Sequence, residues 1–342
     1  MKDLEQKIEI LKGYITDTPK HIAILAHTNP DGDAIGSSLA WAKVLRSLGH
    51  DVQCLVPNKY PGFLSWMPGI RDVIIAKEEN ERAIGAVDNA DIIFFLDFNR
   101  IDRLENLSRH IIDNRKAVRI LIDHHPPADE YTLVFSDPTS CSTSYLVYQI
   151  TERLTGLDVF DREAAESLYV GIMTDTGNFS FSFLTPGLFR AVAGLIEKGI
   201  NIPDINSKVY NSYSEGRVRL LGYVLLDKMR MIENGRAAYI ALKENEMRRF
   251  DFQVGDSEGF VNYPLSIASV QMSAMFIETH KFIRISFRSR GDVDVSLFAS
   301  KYFNGGGHKN ASGGKSYDTI EKTVARFEQA VTEFFHPAKM QE

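Results

Sequence analysis

The sequence has few cysteines, no long apolar run and no excess of basic residues. Its 342 residues include only Cys54 and Cys141, which show neither CxxC spacing nor a paired framework. We therefore expect no disulfide and no thiolate zinc site, and predict two buried, reduced thiols. No apolar run approaches the roughly 20 residues of a membrane helix, and the charged start "MKDLEQKIEI" has no signal-peptide core. These absences predict a cytoplasmic protein without a membrane partner.

The balance of charge narrows the class of partner. The formal net charge is −6 at pH 7. A protein that wraps long duplex nucleic acid needs a basic surface, because neutralised phosphates supply most of the affinity. The sequence therefore argues against a long duplex as partner, but it allows a small phosphate ligand held at one place.

The pattern of apolar runs predicts an α/β protein with two domains. In the first 190 residues short β-prone runs alternate with helical patterns at 34–48, 142–154 and 161–173, which is typical of a doubly wound, mostly parallel sheet. The predicted strands lie at 22–26, 52–56, 72–75, 91–96, 118–122 and 132–135. We predict an N-terminal domain over 1–186, a helical connector over 187–231 and a smaller α/β domain over 232–342.

A polar loop of about seven residues, "HTNPDGD" at 27–33, separates the first predicted strand from the first predicted helix after it. The loop contains His27, Asp31 and Asp33. Turn formation and helix capping explain part of the pattern, since Asn-Pro-Asp-Gly favours a turn and aspartate is a good N-cap. The other interpretation is a functional site, and the ends of the other strands favour it.

Polar side chains also end two further strands. Asp97 ends "IIFFLD", and Asp123, His124 and His125 end "VRILIDHH". Ligands of an open parallel sheet bind outside the carboxyl ends of its strands. Asp175 follows a helical pattern at "TDTG". Each residue alone has a local explanation as a cap or a surface side chain, but their convergence on one edge predicts a shared site.

Five carboxylates and three imidazoles at one edge require a cation. Like charges a few ångströms apart cannot all stay ionised unless something neutralises them. Mixed histidine and carboxylate ligands suit manganese or another divalent ion such as magnesium better than calcium. Because six or more donors are too many for one open catalytic metal, we predict two ions that share a bridging carboxylate and activate water for attack on phosphorus.

A glycine-rich segment, "NGGGHKNASG", occupies 304–313 of the C-terminal region. A flexible loop is one explanation, because glycines often mark turns. Consecutive glycines also present backbone N–H groups to an anion, and cationic side chains nearby would add to this. We predict a phosphate-binding surface formed by Gly305, Gly306, Gly307, His308 and Lys309 together with Arg288 and Arg290 of "ISFRSR".

Five ordered motifs together resemble the DHH/DHHA1 phosphoesterase family. They are "HTNPDGDAIGSS", "LD" at 96–97, "DHH" at 123–125, "TDTG" at 174–177 and "GGGHKNASGG" at 305–314. The resemblance spans nearly the whole chain. It implies a catalytic, metal-binding DHH domain over 1–186 and a substrate-binding DHHA1 domain over 232–342.

The resemblance also implies a role for each matched residue of the N-terminal motifs. One manganese ion would be held by His27, Asp31 and Asp97. The other would be held by Asp33, Asp97, His124 and Asp175, so that Asp97 bridges the two. Asp123 would orient a ligand imidazole, and metal-bound histidines generally need such an outer partner.

The remaining implied roles concern the substrate. His125 would face the substrate phosphate and, with Asp97 and Asp123, would make up the catalytic set. The nucleotide would be held by Arg288, Ser289, Gly305, Gly306, Gly307 and His308. The segment "FNRIDRL" after Asp97 departs from the small or acidic residues often found there, which leaves the roles of Arg100 and Arg103 open.

The chain length resembles stand-alone members of the family that cut short oligoribonucleotides of about two to five nucleotides and remove the 3′-phosphate of pAp through two-metal activation of water. Hydrolysis of pApA or of cyclic-di-AMP is the alternative. An inorganic pyrophosphatase is disfavoured by the glycine-rich segment, and a RecJ-like exonuclease by the charge and length. A non-catalytic nucleotide sensor would not need every metal donor. Whether the chain is a monomer or a homodimer stays open.

Overall fold

The computed structural model describes residues 2–15, 18–104, 107–180, 183–253 and 255–336. The chain forms two compact units, Met1–Ser212 and Tyr213–Glu342. The helices of the predicted connector 187–231 belong to both units. Two of them, Pro186–Glu197 and Ile202–Tyr210, lie in the first unit, and Glu215–Tyr223 lies in the second.

The first unit contains the predicted parallel sheet. Its six strands run in the order β3-β2-β1-β4-β5-β6, and every neighbouring pair is parallel. The strand Ile92–Leu96 is buried throughout, as its unbroken apolar sequence requires in the middle of a sheet covered on both faces. The strands are β1 His21–Leu25, β2 Asp51–Val56, β3 Ile74–Ile75, β4 Ile92–Leu96, β5 Val118–Asp123 and β6 Leu133–Ser136.

Helices cover both faces of this sheet. Alternate residues of β1 show the two layers, since Ile22 and Ile24 pack into one apolar cluster and Ala23 and Leu25 into another. The helices of the first unit are α1 Lys2–Tyr14, α2 Gly32–Ser47, α3 Asn80–Asp88, α4 Leu107–Asp113, α5 Thr143–Leu154, α6 Arg162–Asp175, α7 Pro186–Glu197 and α8 Ile202–Tyr210, with short 3₁₀ turns at Gly62–Leu64, Ile70–Asp72, Ile101–Leu104 and Leu157–Val159.

Close packing of α2 on α6 brings two polar segments together. A Cβ at Gly36 of α2 would lie 2.4 Å from the carbonyl oxygen of Ser167 and 3.0 Å from the amide nitrogen of Gly171. Only glycine allows this approach of the two backbones. As a result the first turn of α2, which carries Asp33, lies beside the last turn of α6, which ends at Asp175.

The second unit contains a smaller mixed sheet in the order β11-β12-β10-β9-β8-β7. The pair β8–β9 is parallel, and the other pairs are antiparallel. Its strands are β7 Met229–Ile232, β8 Ala237–Leu242, β9 Met272–Glu278, β10 Ile283–Ser289, β11 Gly306–His308 and β12 Ala311–Ser316. Its helices are α9 Glu215–Tyr223, α10 Glu244–Arg248, α11 Val295–Phe303 and α12 Ile320–Phe335, with a π-helical turn at Val224–Lys228 and 3₁₀ turns at Glu233–Gly235 and Phe260–Ser266.

One face of this second sheet packs against α11 and α12. Phe287 of β10 lies in the same apolar cluster as Phe298 of α11 and Phe327 of α12. Side chains alternate along a strand, so the neighbours of Phe287 in β10, Ser286 and Arg288, lie on the opposite face. The sequence therefore places polar and cationic residues on one face of β10 and apolar residues on the other.

The prediction of an α/β fold with a parallel sheet and a second, smaller domain is confirmed, with two local differences. The strand predicted at 72–75 is reduced to Ile74–Ile75, because Ile70–Asp72 forms a 3₁₀ turn. The glycine-rich segment, for which a flexible loop was one explanation, forms the hairpin of β11 and β12. Across the described ranges, no helix is long and apolar enough to cross a bilayer.

Candidate metal centre and candidate nucleotide surface

The parallel sheet delivers the predicted residues of the first unit to one edge. Leu25 of β1 pairs with Phe95 of β4, and Leu96 of β4 pairs with Ile122 of β5. The carboxyl ends of β1, β4 and β5 therefore lie side by side, and the residues that follow them lie at the same edge of the sheet. They include His27 after β1, Asp97 after β4, and the end of β5 with its two histidines.

The potential metal ligands at this edge include two groups that have no residue in common. The first is His27, Asp31 and Asp97, and the second is Asp33, His124 and Asp175. Within each group one ligand atom per residue lies within 4.8 Å of the others. We call the two groups together the carboxylate–histidine cluster.

Asp97 links the two groups. Its Oδ2 lies 3.5 Å from Nε2 of His27, and its Oδ1 lies 3.4 Å from Nε2 of His124. The Asp97 backbone has a positive φ of 63° and donates its N–H to the carbonyl of Ile122. A positive φ is uncommon outside glycine, and such strain often occurs at functional sites. Each oxygen of this one carboxylate thus faces a different group of ligands.

Both histidines of the cluster present Nε2 to the carboxylates. Nδ1 of His27 lies 2.8 Å from the carbonyl of Thr28, and Nδ1 of His124 lies 3.4 Å from the carbonyl of Ser140. A carbonyl can only accept, so Nδ1 carries the hydrogen in both rings. Nε2 of neutral His124 is then an acceptor that faces Asp175 at 3.2 Å as well as Asp97. Acceptor facing acceptor requires a positive charge between them, either a second proton on the ring or a metal ion, and a metal ion at Nε2 with a carbonyl at Nδ1 is typical of metal-bound histidine.

Helix termini hold the two aspartates of the first loop. Asp31 is the N-cap of α2, and its side chain accepts from the N–H groups of Asp33 and Ala34. The carboxylate of Asp33 lies instead on the N-terminus of α5, where it accepts from the N–H of Thr143 at 2.6 Å and of Ser144 at 2.8 Å. The N-terminus of a helix favours negative charge, so α5 fixes Asp33 in a defined orientation.

The electrostatics show an excess of buried negative charge. Burial, followed by the charge of Asp97, raises the pKa of Asp33 to about 7. Burial, followed by the charge of Asp33, also raises the pKa of Asp175 well above its usual value. Without a cation these carboxyls therefore tend to hold protons near neutral pH. A divalent ion that replaces the protons would let them ionise.

For Asp97 and His124, in contrast, the surroundings favour the charged form of each side chain. Burial alone would raise the pKa of Asp97, but hydrogen bonds from His124 and His27 hold that pKa well below its usual value. Burial alone would lower the pKa of His124, but Asp97 and Asp175 raise that pKa well above its usual value. In this state a proton on His124 takes the place that a metal ion would fill.

Asp123 and His125 form a separate pair at the end of β5. Oδ1 of Asp123 accepts from the backbone N–H of His125 at 3.0 Å and lies 2.7 Å from its ring Nδ1. Oδ2 of Asp123 is buried and has no hydrogen-bond partner among the described residues. The predicted partner of Asp123 was a ligand imidazole, whereas this hydrogen bond orients His125. Asp97, Asp123, His124 and His125 also each offer one ligand atom within 4.8 Å of the others, so the donor types present here fit a divalent metal site.

Arg100, the first arginine after Asp97, makes no contact with the cluster among the described residues. Arg100 is exposed and pairs with Asp102, with Nη2 2.7 Å from Oδ2. The side chain of Arg103 lies outside the described residues. Their roles therefore stay open.

Two residues that the sequence did not single out organise the cluster. Oδ1 of Asn58, after β2, accepts from the hydroxyl of Thr28 at 2.8 Å and the N–H of Asn29 at 2.7 Å, and so holds the loop between β1 and α2. Thr143 contacts Asp33 and Asp97. The sequence "SCST" indicates a helix start with Ser142 as N-cap and Thr143 as the first helical residue, but a sequence does not show which distant carboxylate a helix end will meet.

In the second unit, three of the predicted substrate residues, Arg288, His308 and Gly306, share one face of the sheet. Arg288 of β10 and His308 of β11 both pair with Ala311 of β12, so the three residues form a row across three strands. The next row is Ser286, Gly313 and Gly306. Paired residues share a face, so Arg288 and His308 flank a floor of small residues. We call this face the arginine–glycine surface.

The other residues of the predicted phosphate-binding surface contact groups within the second unit. The hydroxyl of Ser289 donates to the carbonyl of Val293 at 2.6 Å and accepts from Asn310 at 2.9 Å, so it holds the turn after β10. Gly305 lies against β12, where a Cβ would fall 1.9 Å from the carbonyl oxygen of Gly313. Gly307 has a φ of 145°. Lys309 pairs with Asp292, and the guanidinium of Arg290 donates to backbone carbonyls of Leu265 and Ile267.

Comparison with known families agrees with these two regions. Residues 21–172 match the DHH family, N-terminal domain, and residues 234–336 match the DHHA1 domain. The chain belongs to the DHH family. It is a phosphoesterase, an enzyme that hydrolyses phosphoric esters.

Individual relatives cover nearly the whole chain. The bifunctional oligoribonuclease and PAP phosphatase NrnA of Bacillus subtilis (strain 168) is 28% identical over 316 residues, which are 90% of this chain and 93% of the relative. The protein of the same name from Thermus thermophilus is 27% identical over 331 residues, 96% of this chain and 94% of the relative. The crystal structure of an exopolyphosphatase-related protein from Bacteroides fragilis is 40% identical, covers 96% of each chain and has a TM-score of 0.89.

Proposed function

We propose that this enzyme uses two divalent ions, preferably manganese, to cut oligoribonucleotides of about two to five nucleotides and to remove the 3′-phosphate of pAp. The observation that carries the proposal is the pair of ligand groups joined by Asp97, whose two oxygens face His27 and His124. The names of the relatives in Bacillus subtilis and Thermus thermophilus support the substrate class.

The carboxylate–histidine cluster supplies the ligands in this proposal. One ion would be held by His27, Asp31 and Asp97, and the other by Asp33, Asp97, His124 and Asp175. When bound, two such ions polarise the phosphoryl group and lower the pKa of a bound water. Nitrogen and carboxylate donors without thiolate favour manganese over softer-ligand metals.

We assign His125 to the substrate phosphate. Its ring is fixed by Asp123 through a hydrogen bond of 2.7 Å, and it lies edge-to-face on His124 with ring centroids 4.5 Å apart. A ring held in this way is pre-oriented, so it loses little freedom when it contacts a phosphate oxygen. The Asp123 contact therefore positions His125 next to a metal ligand.

We assign the nucleotide to the arginine–glycine surface. Arg288 and His308 provide cationic or hydrogen-bonding side chains on either side of Ala311, and Gly306 and Gly313 leave the floor without side chains. An arginine suits phosphate oxygens because its fork of N–H groups matches their geometry. A net charge of −6 disfavours the many phosphate contacts that a long strand would need, which suits short substrates.

The test is a parallel comparison of initial rates with Mn²⁺. The substrates are pAp, di- to pentaribonucleotides, a long single-stranded RNA, pApA, cyclic-di-AMP, pyrophosphate and polyphosphate. We expect pAp and the short RNAs to be hydrolysed fastest, with rates that fall as length exceeds about five nucleotides and depend weakly on salt. Chelation should abolish turnover, and Mn²⁺ should restore it better than Mg²⁺ or Ca²⁺.

Other outcomes would replace the proposal. If pApA or cyclic-di-AMP is hydrolysed fastest, the enzyme is a phosphodiesterase of cyclic-dinucleotide breakdown instead. Processive degradation of the long strand with a steep salt dependence would assign an exonuclease, and preference for pyrophosphate or polyphosphate would assign a nucleotide-independent phosphatase. Full activity in metal-depleted buffer would contradict the metal part.

A further inference from the structure

Thr143, the first residue of α5, is fully buried beneath the carboxylate–histidine cluster. It makes three polar contacts, each to a residue that carries a predicted metal ligand. Its backbone N–H donates to Oδ2 of Asp33 at 2.6 Å, its hydroxyl lies 3.0 Å from Oδ1 of Asp97, and the backbone N–H of His124 lies 3.3 Å from the same hydroxyl oxygen. These partners come from α2 and from the ends of β4 and β5.

The direction of the hydroxyl hydrogen follows from these contacts. The N–H of His124 can only donate, so the Thr143 oxygen accepts there. The hydroxyl hydrogen is then given to Oδ1 of Asp97. This is the oxygen that faces His124, whereas Oδ2 faces His27. The hydroxyl therefore fixes which oxygen of the shared carboxylate faces which group of ligands.

We propose that the Thr143 hydroxyl is a positioning group that holds Asp97 in the orientation needed to bridge two metal ions. This proposal rests on the proposed function only in one respect, the binding of two divalent ions by the carboxylate–histidine cluster. Thr143 would act on the metal ions only through Asp97. Hydrogen bonds of this kind to metal ligands typically change metal affinity or activity by about 10- to 100-fold when they are removed.

The chain offers a matched control in the same helix. Thr151 lies two turns further along α5, is also fully buried, and donates its hydroxyl to the carbonyl of Val147 at 2.8 Å. Thr143→Val and Thr151→Val each replace a buried hydroxyl by a methyl group of similar size. Only the first removes a hydrogen bond to Asp97, so the comparison separates metal positioning from helix packing.

The experiment titrates Mn²⁺ into wild type and variants by calorimetry and measures the melting temperature of the metal-free proteins. We expect Thr143→Val to weaken Mn²⁺ binding by about 10- to 100-fold or to lose one of two ions. Thr143→Ser, which keeps the hydroxyl, should bind Mn²⁺ nearly as wild type does, and Thr151→Val should also bind normally. With pAp, the loss should appear in kcat rather than in KM.

Several results would overturn the inference. Unchanged Mn²⁺ binding by Thr143→Val would do so, and so would equal weakening by Thr143→Ser, because the methyl group rather than the hydroxyl would then matter. If Thr143→Val does not fold, Thr143→Ala carries the same comparison with Thr143→Ser. If the wild-type protein binds two Mn²⁺ ions but cleaves neither pAp nor short RNA, the proposed substrates are refuted. The Mn²⁺ titrations of the Thr143 variants would still decide whether the hydroxyl positions Asp97.

Discussion

The two candidate regions of the molecule are built in different ways. The carboxylate–histidine cluster lies at the edge of a parallel sheet, where four buried side chains and the partly exposed Asp31 and Asp175 lie close together around Asp97. The arginine–glycine surface lies on the face of a mixed sheet, where Arg288 and His308 are set apart by Ala311. A cluster of shared ligands should fail as a whole when one member is lost, whereas separated contacts should fail one at a time.

The strongest test of this contrast is Asp97→Ala. Asp97 faces both ligand groups, so its loss removes a donor from both proposed ions. We expect kcat to fall roughly a thousandfold or more, beyond the 10- to 100-fold typical of losing an outer hydrogen bond. Steady-state kinetics with pAp and metal analysis of the purified variant provide the measurement.

The control for Asp97→Ala is Asp113→Ala, which removes an exposed carboxylate at the end of α4. Asp113 pairs only loosely with Arg109, at 3.7 Å, so this variant should keep wild-type activity. An Asp97→Ala enzyme with normal metal content and turnover would show that the two ligand groups do not depend on a shared residue.

A smaller effect is expected from Arg288→Ala in the second unit. Loss of one charge-assisted contact to phosphate costs about 1.5–3 kcal/mol, so kcat/KM should fall about 10- to 100-fold, mainly through KM. Mn²⁺ binding should not change. Arg230→Ala on β7, which removes an exposed arginine, is the control. If Arg288→Ala lowers Mn²⁺ affinity instead, the two regions do not divide the work as we propose.

The pH dependence of metal binding should distinguish the regions further. In the metal-free protein burial raises the pKa of Asp33 to about 7, above its value in the unfolded chain, so Asp33 holds a proton at pH 6 that Mn²⁺ must displace. Through Asp33 the folded metal-free state binds more protons than the unfolded state between about pH 4 and 7, so the contribution of this group to stability falls as pH rises through that window. Mn²⁺ affinity should rise about tenfold per pH unit for each proton displaced, and level off for this group above pH 7.

Calorimetric titration at pH 6, 7 and 8 measures this dependence. Arg288→Ala should show the same pH dependence as wild type, whereas Asp33→Asn should weaken binding and reduce the dependence. Mn²⁺ affinity that is flat or falls between pH 6 and 7 would be inconsistent with protonated carboxyls in the metal-free cluster.

The smallest effects concern the glycine contact that brings Asp33 and Asp175 together. Gly36→Ala would place a methyl group 2.4 Å from the Ser167 carbonyl, and overpacking of this kind costs about 1–3 kcal/mol of unfolding free energy. Gly85→Ala, in α3, meets no atom within 4 Å and should stabilise by about 0.4–1 kcal/mol. Denaturant unfolding measures the change in the free energy of unfolding for each variant, which should be a loss for Gly36→Ala and a gain for Gly85→Ala. A stabilised Gly36→Ala would show that α2 and α6 do not need this close approach.

Much of the first region could be predicted from sequence because topology alone determines it. Apolar runs that end in His27, Asp97 and Asp123 predict parallel strands, and parallel strands deliver their ends to one edge. The contacts of α5 could not be predicted in this way. The motif "SCST" indicates a helix start at Thr143, but the contact with Asp33 joins residues 110 positions apart and depends on how the helices pack.

The second region was less predictable for a different reason. The segment 304–313 is rich in glycine and therefore gives no alternating pattern, although it forms β11 and part of β12. Its pairing depends on close backbone approach, such as that of Gly305 to Gly313, which a sequence does not show. Ser289 was predicted to bind substrate, and this stays a prediction, but its hydroxyl already holds the turn after β10.

The most direct test of the central claim is a crystal of the wild-type protein grown with Mn²⁺ and measured at the manganese absorption edge. We predict two anomalous peaks in the first unit, about 3.5–4 Å apart, one on either side of the Asp97 carboxylate. A single peak, or two peaks that do not share Asp97 as a ligand, would contradict a bridged two-metal centre at this edge of the sheet.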